Sequence, residues 1–322
     1  MSARAALATS VPPASGYSPL TMPMTSPRAT PGPPDPAGPP DAARPSLERQ
    51  ATRVRVTAYR AGRTEARDDR LAGEEPLAIR AAGPGQDPVD VAVTMRTPGH
   101  EAELAAGFLR TEGLIEDGAT ILAFEAGDPN THARPDDEIT VRLATPFDAS
   151  RVATRNFVAT ASCGICGKAS LDEVAVRSAP IPDGPRVTPE ILLALPGRLR
   201  EAQAVFEATG GLHAAGLFEA DGTLLAMRED IGRHNALDKL IGSQVVSGAL
   251  PLHGRIVLVS GRAGFELVQK AAVAGVPILA AVSAPSDLAV DAAERLGVTL
   301  VGFLRGDGFN VYAHPERVAT ER

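Results

Sequence analysis

The chain has 322 residues, of which 44% are hydrophobic and only 4% aromatic, and it contains no tryptophan. This length is enough for one large or two modest domains with cores of Val, Leu, Ile and Ala. The formal net charge of -7 argues against non-specific nucleic-acid binding, which needs a basic face. No run approaches the roughly 18 apolar residues of a membrane helix, and the N-terminus lacks the layout of a signal peptide. We therefore expect a cytoplasmic protein that binds neither nucleic acid nor membranes.

The first half of the chain predicts a proline-rich extension followed by a small domain. Residues 1–50 hold 12 of the 28 prolines and show no hydrophobic periodicity, which predicts a disordered extension. A helix is predicted after Thr97, with Thr97 as its cap and Gly113 as its stop. We assign residues 51–160 to an N-terminal α+β domain with strands at 53–59, 75–81, 89–95, 121–124, 138–143 and 156–159.

The last third alternates buried strands with helices. Strands are predicted at 255–260, 276–282 and 298–304, with helices at 265–274 and 288–296 between them. This pattern favours a three-layer α/β domain with parallel strands. A hairpin at 216–227 makes the predicted sheet mixed. We assign this domain to residues 161–322. Its fold class is α/β, and that of the whole chain is α+β.

The chain has only two cysteines, Cys163 and Cys166, in the loop S-C-G-I-C-G at the start of a helix predicted at 169–176. Backbone amides and the helix dipole there stabilise a thiolate, and the flanking glycines let the loop expose its sulfur. We therefore favour a reactive pair over two inert buried thiols. A zinc site would need two more ligands, for which His213 and His234 are the candidates. Ala215 stands where a zinc deaminase has its glutamate, so no metal is expected.

Two segments at predicted strand ends combine glycine with arginine. Ser260, Gly261 and Arg262 follow one strand, and the run from Phe303 to Gly308 follows another on the same carboxyl edge. Bare amides and guanidinium groups hold phosphate, which indicates an anionic, nucleotide-like ligand. Ordinary tight turns remain the alternative. The polar run from Arg228 to Lys239 is either a solvated helix start or part of a site.

These motifs together resemble the FdhD family of formate dehydrogenase accessory sulfurtransferases. The resemblance covers about 54–318 and is carried by S-C-G-I-C-G, T-G-G-L-H-A-A-G at 209–216, R-E-D-I-G-R-H-N-A-L-D-K at 228–239, S-G-R-A-G-F-E at 260–266 and F-L-R-G-D-G-F-N-V-Y at 303–312. It implies a cytidine-deaminase-like fold without zinc for the C-terminal domain.

The resemblance also implies a sulfur carrier. Such a protein takes persulfide sulfur from a cysteine desulfurase and delivers it to the molybdenum cofactor that carries two guanine dinucleotides, which formate dehydrogenase needs for activity. Cys163 matches the persulfide cysteine and Cys166 the second thiol, and a homodimer is implied. The stretch matching the family's cofactor-binding segment consists of Phe303, Leu304, Arg305, Gly306, Asp307 and Gly308. From the chemistry of the residues we add Ser260, Gly261 and Arg262 as phosphate contacts, and His234 and Asp230 as residues lining the site.

Two other functions stay open. The protein could be a non-enzymatic chaperone that holds the cofactor for formate dehydrogenase, with the thiols incidental. It could also be a zinc-dependent, deaminase-like enzyme.

Overall fold

The computed structural model describes residues 47–116, 120–130, 134–153, 181 and 184–319. Most of the predicted extension therefore lies outside the described residues. Its last four residues, Leu47–Gln50, form a single helical turn, α1. A second short turn, α3, spans Ser150–Ala153.

A separate two-stranded ribbon follows α1. Strands β1 (Ala51–Arg60) and β2 (Arg63–Ala72) pair antiparallel along their whole length. Ala61 and Gly62 join them with positive φ angles of 46° and 79°, the backbone that suits a two-residue hairpin. The first strand agrees with its prediction. The second was not predicted, because its polar sequence lacks apolar alternation.

Four more of the six strands predicted for the N-terminal region are confirmed, and they form a four-stranded sheet. It contains β3 (Glu75–Ala82), β4 (Val89–Arg96), β5 (Ile121–Ala126) and β6 (Glu138–Leu143). Their order is β4-β3-β6-β5, with β3 and β6 parallel. Helix α2 (Glu101–Thr111) packs its buried leucines and Phe108 on this sheet.

The predicted cap of α2 is wrong. The helix begins at Glu101, and its N-cap is His100 at φ 62°. Thr97 serves another purpose, because its backbone N–H donates to Asp230 Oδ2 at 3.0 Å and its hydroxyl accepts from the N–H of Ile231 at 3.1 Å. Thr97 therefore joins the N-terminal sheet to the C-terminal region instead of capping a helix.

The C-terminal region is built on a sheet of six strands, which is mixed, as predicted. Its strands run in the order β12-β11-β10-β9-β7-β8, with β9, β10 and β11 parallel. The strands are β7 (His213–Phe218), β8 (Leu224–Asp230), β9 (Ile256–Val259), β10 (Ile278–Ala281), β11 (Thr299–Arg305) and β12 (Gly308–Ala313).

Helices cover both faces of this sheet and complete the three predicted layers. One face packs against α6 (Arg233–Val246), α7 (Phe265–Val273) and α8 (Asp287–Leu296). The other packs against α4 (Pro189–Ala202), which is followed by α5 (Ala204–Thr209). Helices α4 and α5 were not predicted. No helix within the described ranges is long and apolar enough to cross a membrane.

The fold class is confirmed as a mixture of α and β structure with mixed sheets. The finer likeness to cytidine deaminases and the predicted domain boundaries stay predictions.

Candidate functional site

The two cysteines, Cys163 and Cys166, lie outside the described residues, as do the strand predicted at 156–159 and the helix predicted at 169–176. The roles predicted for the thiols therefore stay predictions. The described residues instead define a candidate binding site at one edge of the six-stranded sheet.

Three backbone segments meet at the carboxyl ends of β9, β10 and β11. The N–H of Ser283 donates to the carbonyl oxygen of Gly261 at 3.4 Å, and the N–H of Phe303 donates to the carbonyl oxygen of Ser283 at 3.1 Å. The loop after β9 and the end of β11 are thus joined through Ser283. The structure brings both arginine-bearing segments to the edge at which open α/β sheets bind ligands.

Arg262 and Arg305 are the cations of these two segments. Both are exposed, and neither forms an ion pair within the described part of the chain. The Arg305 guanidinium carbon lies 5.5 Å from the centroid of the Phe303 ring. A guanidinium without an acidic partner keeps its N–H donors available for a phosphate group, which it binds through two parallel hydrogen bonds.

The run from Phe303 to Gly308 differs from the loop predicted there. Phe303, Leu304 and Arg305 are the last residues of β11, and Gly306 and Asp307 form the turn into β12. Phe303 has a positive φ of 54°, and the strand pairing is irregular between Gly302 and Arg305. Leu304 is fully buried in the core, so its side chain faces away from the exposed turn.

Ser260 and Gly261 contribute to the same edge in different ways. The Ser260 hydroxyl accepts a hydrogen bond from the N–H of Ala214 at 2.9 Å, which ties β9 to the start of β7. A Cβ atom on Gly261 would lie 3.2 Å from His213 Nδ1 and 3.9 Å from Arg233 Cδ. The small residue at Gly261 therefore lets the imidazole and the guanidinium stem pack against the loop backbone.

Asp230 does not line this site, contrary to the prediction. Its side chain is 0% exposed and forms an ion pair of 2.7 Å with Lys239. Its oxygens also accept from the backbone N–H groups of Thr97 and Gly232 and from the Asn235 amide. The carboxylate is saturated by internal donors, so its role is to hold the start of α6 against the N-terminal sheet.

The polar run from Arg228 to Lys239 is likewise not a solvated helix start. Asn235, Asp238 and Lys239 are buried together with Asp230. Lys239 Nζ also donates to the carbonyl oxygen of Thr97 at 2.7 Å. The inward-facing residues of this run build a structural network, whereas Arg233 and His234 lie near the edge.

His213 and His234 are half-buried imidazoles near this edge. Burial lowers the pKa of His213, and the positive charge of Arg233 lowers it further. Burial also lowers the pKa of His234 to about 3, with nearby cations adding to the effect. His234 Nε2 has no hydrogen-bond partner among the described residues and lies 3.9 Å from Glu266 Oε2. Both rings are therefore neutral at pH 7 and suit hydrogen bonding rather than charge pairing.

The described residues do not supply a set of ligands for the zinc ion of the alternative hypothesis. Within the described ranges, no group of three or more histidine, cysteine, aspartate or glutamate side chains is placed to hold a metal ion. His213 and His234 do not form such a group with their described neighbours.

A cavity of about 560 Å³ opens beside the edge and was not predicted from the sequence. Arg200 forms part of its wall and lies 4.4 Å over the Phe206 ring while pairing with Glu207 at 2.7 Å. Its lining combines apolar surface, an amide side chain and glycine backbone, contributed by Pro196, Leu199, Arg200, Gln203, Phe206, Gly210, Gly211, Leu212, His213, Ser260 and Val282. A flat ring with polar edges fits this combination.

Comparisons with known proteins agree with the resemblance found in the motifs. The model of the FdhD/NarQ family matches residues 72–319. The chain is 50% identical over 272 residues to a sulfur carrier protein FdhD from Mycolicibacterium paratuberculosis, covering 83% of this chain and 98% of the relative. It is 42% identical over 269 residues to the protein of that name from Sulfurisphaera tokodaii, covering 84% and 99%.

A solved structure has the same fold. It is a crystal structure described as that of a formate dehydrogenase accessory protein from Desulfotalea psychrophila. The two chains share 25% sequence identity with a TM-score of 0.65, and the match covers 84% of this chain and 100% of the other.

Proposed function

The chain belongs to the FdhD/NarQ family, and from that premise we propose that it is a sulfur carrier acting in the maturation of formate dehydrogenase. The observation that carries the proposal is the S-C-G-I-C-G loop within a chain half identical to sulfur carrier proteins over nearly their whole length. Two thiols flanked by glycines suit sulfur transfer, because a thiolate is nucleophilic and glycine has no side chain that would shield it.

The first step loads the carrier. The Cys163 thiolate attacks the outer sulfur of a persulfide on a cysteine desulfurase, and the sulfur–sulfur bond of the donor breaks. The desulfurase cysteine leaves as a thiolate, and Cys163 becomes a persulfide. No net oxidation or reduction occurs in this step, because one persulfide replaces another.

The second step delivers the sulfur at the oxidation level of sulfide. Cys166 attacks the inner sulfur of the Cys163 persulfide, and the outer sulfur leaves as hydrosulfide beside the molybdenum. The two cysteines are oxidised to a disulfide while the outer sulfur is reduced by two electrons. A dithiol reductant then returns the pair to thiols. The molybdenum cofactor is the substrate that receives the sulfur.

The described edge has groups that suit the binding of that substrate. We propose that Arg262 and Arg305 hold the diphosphates of the guanine dinucleotide arms, because both are exposed and free of acidic partners within the described ranges. The cavity beside them offers the Phe206 wall, the Gln203 amide and the backbone of Gly210 for a guanine base. The half-buried neutral imidazole of His213 adds a hydrogen-bonding group without charge.

The phosphate contacts are tested by guanosine diphosphate binding, measured by calorimetry. We expect Arg305→Ala to weaken binding by about tenfold or more, since a charged hydrogen-bonding pair contributes roughly 1.5–3 kcal/mol. Arg151→Ala is the matched control. Arg151 forms an ion pair with Glu116 at the surface, and neither residue belongs to the candidate site. An Arg305→Ala protein with the affinity of the wild type would contradict the assignment.

Three partners complete the proposal: a cysteine desulfurase as donor, formate dehydrogenase as recipient and a second copy of the chain in a homodimer. The chaperone alternative makes a different prediction for a variant lacking both thiols. A Cys163→Ala/Cys166→Ala protein that still fully activates formate dehydrogenase would favour the chaperone. We expect that variant to bind guanosine diphosphate normally and to leave the dehydrogenase inactive.

A further inference from the structure

Most residues of the ribbon formed by β1 and β2 are exposed. It forms a sheet of its own, joined by backbone pairing to neither of the other described sheets. Tyr59 is 72% exposed and Leu71 is 54% exposed. Aromatic and arginine side chains of this kind are enriched in protein interfaces.

The charge of the ribbon is opposite to that of the remaining chain. Residues 51–72 contain six arginines and three acidic residues, whereas residues 73–322 contain 33 acidic and 22 basic residues, a net charge of -11. The ribbon is therefore a basic element on an acidic chain.

Four of the six arginines repel one another across the strands. The pairing register places Arg53 directly opposite Arg70, and Arg60 directly opposite Arg63. Like charges in directly opposed positions destabilise an antiparallel pair. None of these four arginines forms an ion pair with a described residue. The other two are neutralised within the ribbon, since Arg55 pairs with Asp68 and Arg67 with Asp69.

The base of the ribbon adjoins the cavity of the candidate site. A Cβ atom on Gly211 would lie 3.5 Å from the Cβ atom of Ala72, the last residue of β2. Gly211 also lines the cavity. A protein bound at the base of the ribbon would thus lie next to the cavity.

We propose that the ribbon is the arm by which the chain binds a second copy of itself, with the unpaired arginines resting on the acidic surface of that copy. The occupant is chosen by charge complementarity, because residues 73–322 of a second copy carry a net charge of -11, whereas the four arginines have no acidic partner among the described residues of their own chain. The inference rests on the proposed homodimer and adds the surface that forms it. It also gives the two repelling arginine pairs of the exposed hairpin a counter-charge.

The test is the dissociation constant of the full chain, measured by sedimentation at low and high salt. We expect Arg53→Gln/Arg70→Gln to raise this constant by about tenfold or more, and high salt to weaken the wild-type dimer. The matched control, Arg55→Gln/Arg67→Gln, removes the same charge from the same ribbon but from pairs that are already neutralised. We expect it to change the constant by less than about threefold.

Unfolding would not explain the expected loss of dimer affinity, because removing a like-charge pair relieves repulsion in the ribbon. At a protein concentration where both proteins are monomeric, the melting temperature of Arg53→Gln/Arg70→Gln should therefore equal or exceed that of the wild type. If this double substitution leaves the dissociation constant of the dimer unchanged, the inference is wrong, although the proposed homodimer itself stands. A wild-type chain that stays monomeric would refute both, yet leave sulfur transfer untouched. If the substitution instead abolishes binding of formate dehydrogenase by a monomer, the ribbon serves that partner and not a second copy.

Discussion

Lys270 is a cation held in the interior by two carboxylates. Its Nζ lies 2.8 Å from Asp238 Oδ2 and 2.9 Å from Glu112 Oε1, and all three side chains are at most 5% exposed. Burial opposes the charge, but Asp238 and Glu112 outweigh it and raise the pKa of Lys270. The hydroxyl of Thr111 completes the cluster at 2.9 Å. The cluster joins the C-terminal end of α2 and the last turn of α7 to the middle of α6.

Removing this cation leaves two carboxylates buried without a counter-charge. We expect Lys270→Met to lower the free energy of unfolding by about 3–5 kcal/mol, the usual cost of breaking a buried pair from one side. Arg142→Met, which breaks a more exposed pair with Glu125, should cost less than about 1 kcal/mol. Urea unfolding followed by circular dichroism measures both. A Lys270→Met protein within about 1 kcal/mol of the wild type would show that the cluster is not a stabilising unit.

At the scale of elements, α2 and α6 cross in backbone contact through two glycines. A Cβ atom on Gly107 would lie 1.9 Å from the carbonyl oxygen of Asp238, and one on Gly242 would lie 1.7 Å from that of Glu103. These are distances that no side chain tolerates, so the two helices would have to separate. The crossing is one of the contacts that fix the four-stranded sheet against the C-terminal region.

We therefore expect Gly107→Ala to destabilise the protein by about 1–3 kcal/mol or more, as overpacking does. Gly197→Ala is a matched control, since Gly197 lies within α4 and a Cβ atom there meets nothing within 4 Å. Alanine has the better helix propensity, so that change should be neutral or stabilising by up to about 1 kcal/mol. Equal melting temperatures for the two variants would contradict the close crossing.

The elements that the sequence predicted are those with apolar patterning. This patterning is clearest in the buried strands β9, β10 and β11 and in the helices between them. Strand β2 was missed because its ten residues are mostly charged and are ordered by pairing with β1 alone. Helix α4 contains an internal proline, Pro196, which breaks the expected pattern. Tertiary packing of Leu192, Leu195 and Leu199 on the sheet stabilises it instead.

At the scale of the whole molecule, the edge that carries Arg262 and Arg305 followed from the alternation of strands and helices, because carboxyl ends of parallel strands share an edge. The cavity could not be predicted from this alternation. Its lining comes from α4, α5, the segment before β7 and two strand ends, which only the folded chain brings together. Asp230 was misplaced because polarity suggests a site, whereas burial and the pairing with Lys239 depend on tertiary contacts. The site assignments themselves stay predictions.

The measurement that tests the central claim most directly is the intact mass of the protein after incubation with a cysteine desulfurase and cysteine. The account predicts a gain of one or more sulfurs, about 32 Da each, that disappears on treatment with dithiothreitol and is absent from Cys163→Ala. Cys166→Ala should gain the sulfur but fail to deliver it to the cofactor. An unchanged mass in the wild type, with the desulfurase shown to be active, would contradict sulfur transfer and leave a cofactor-binding chaperone as the function.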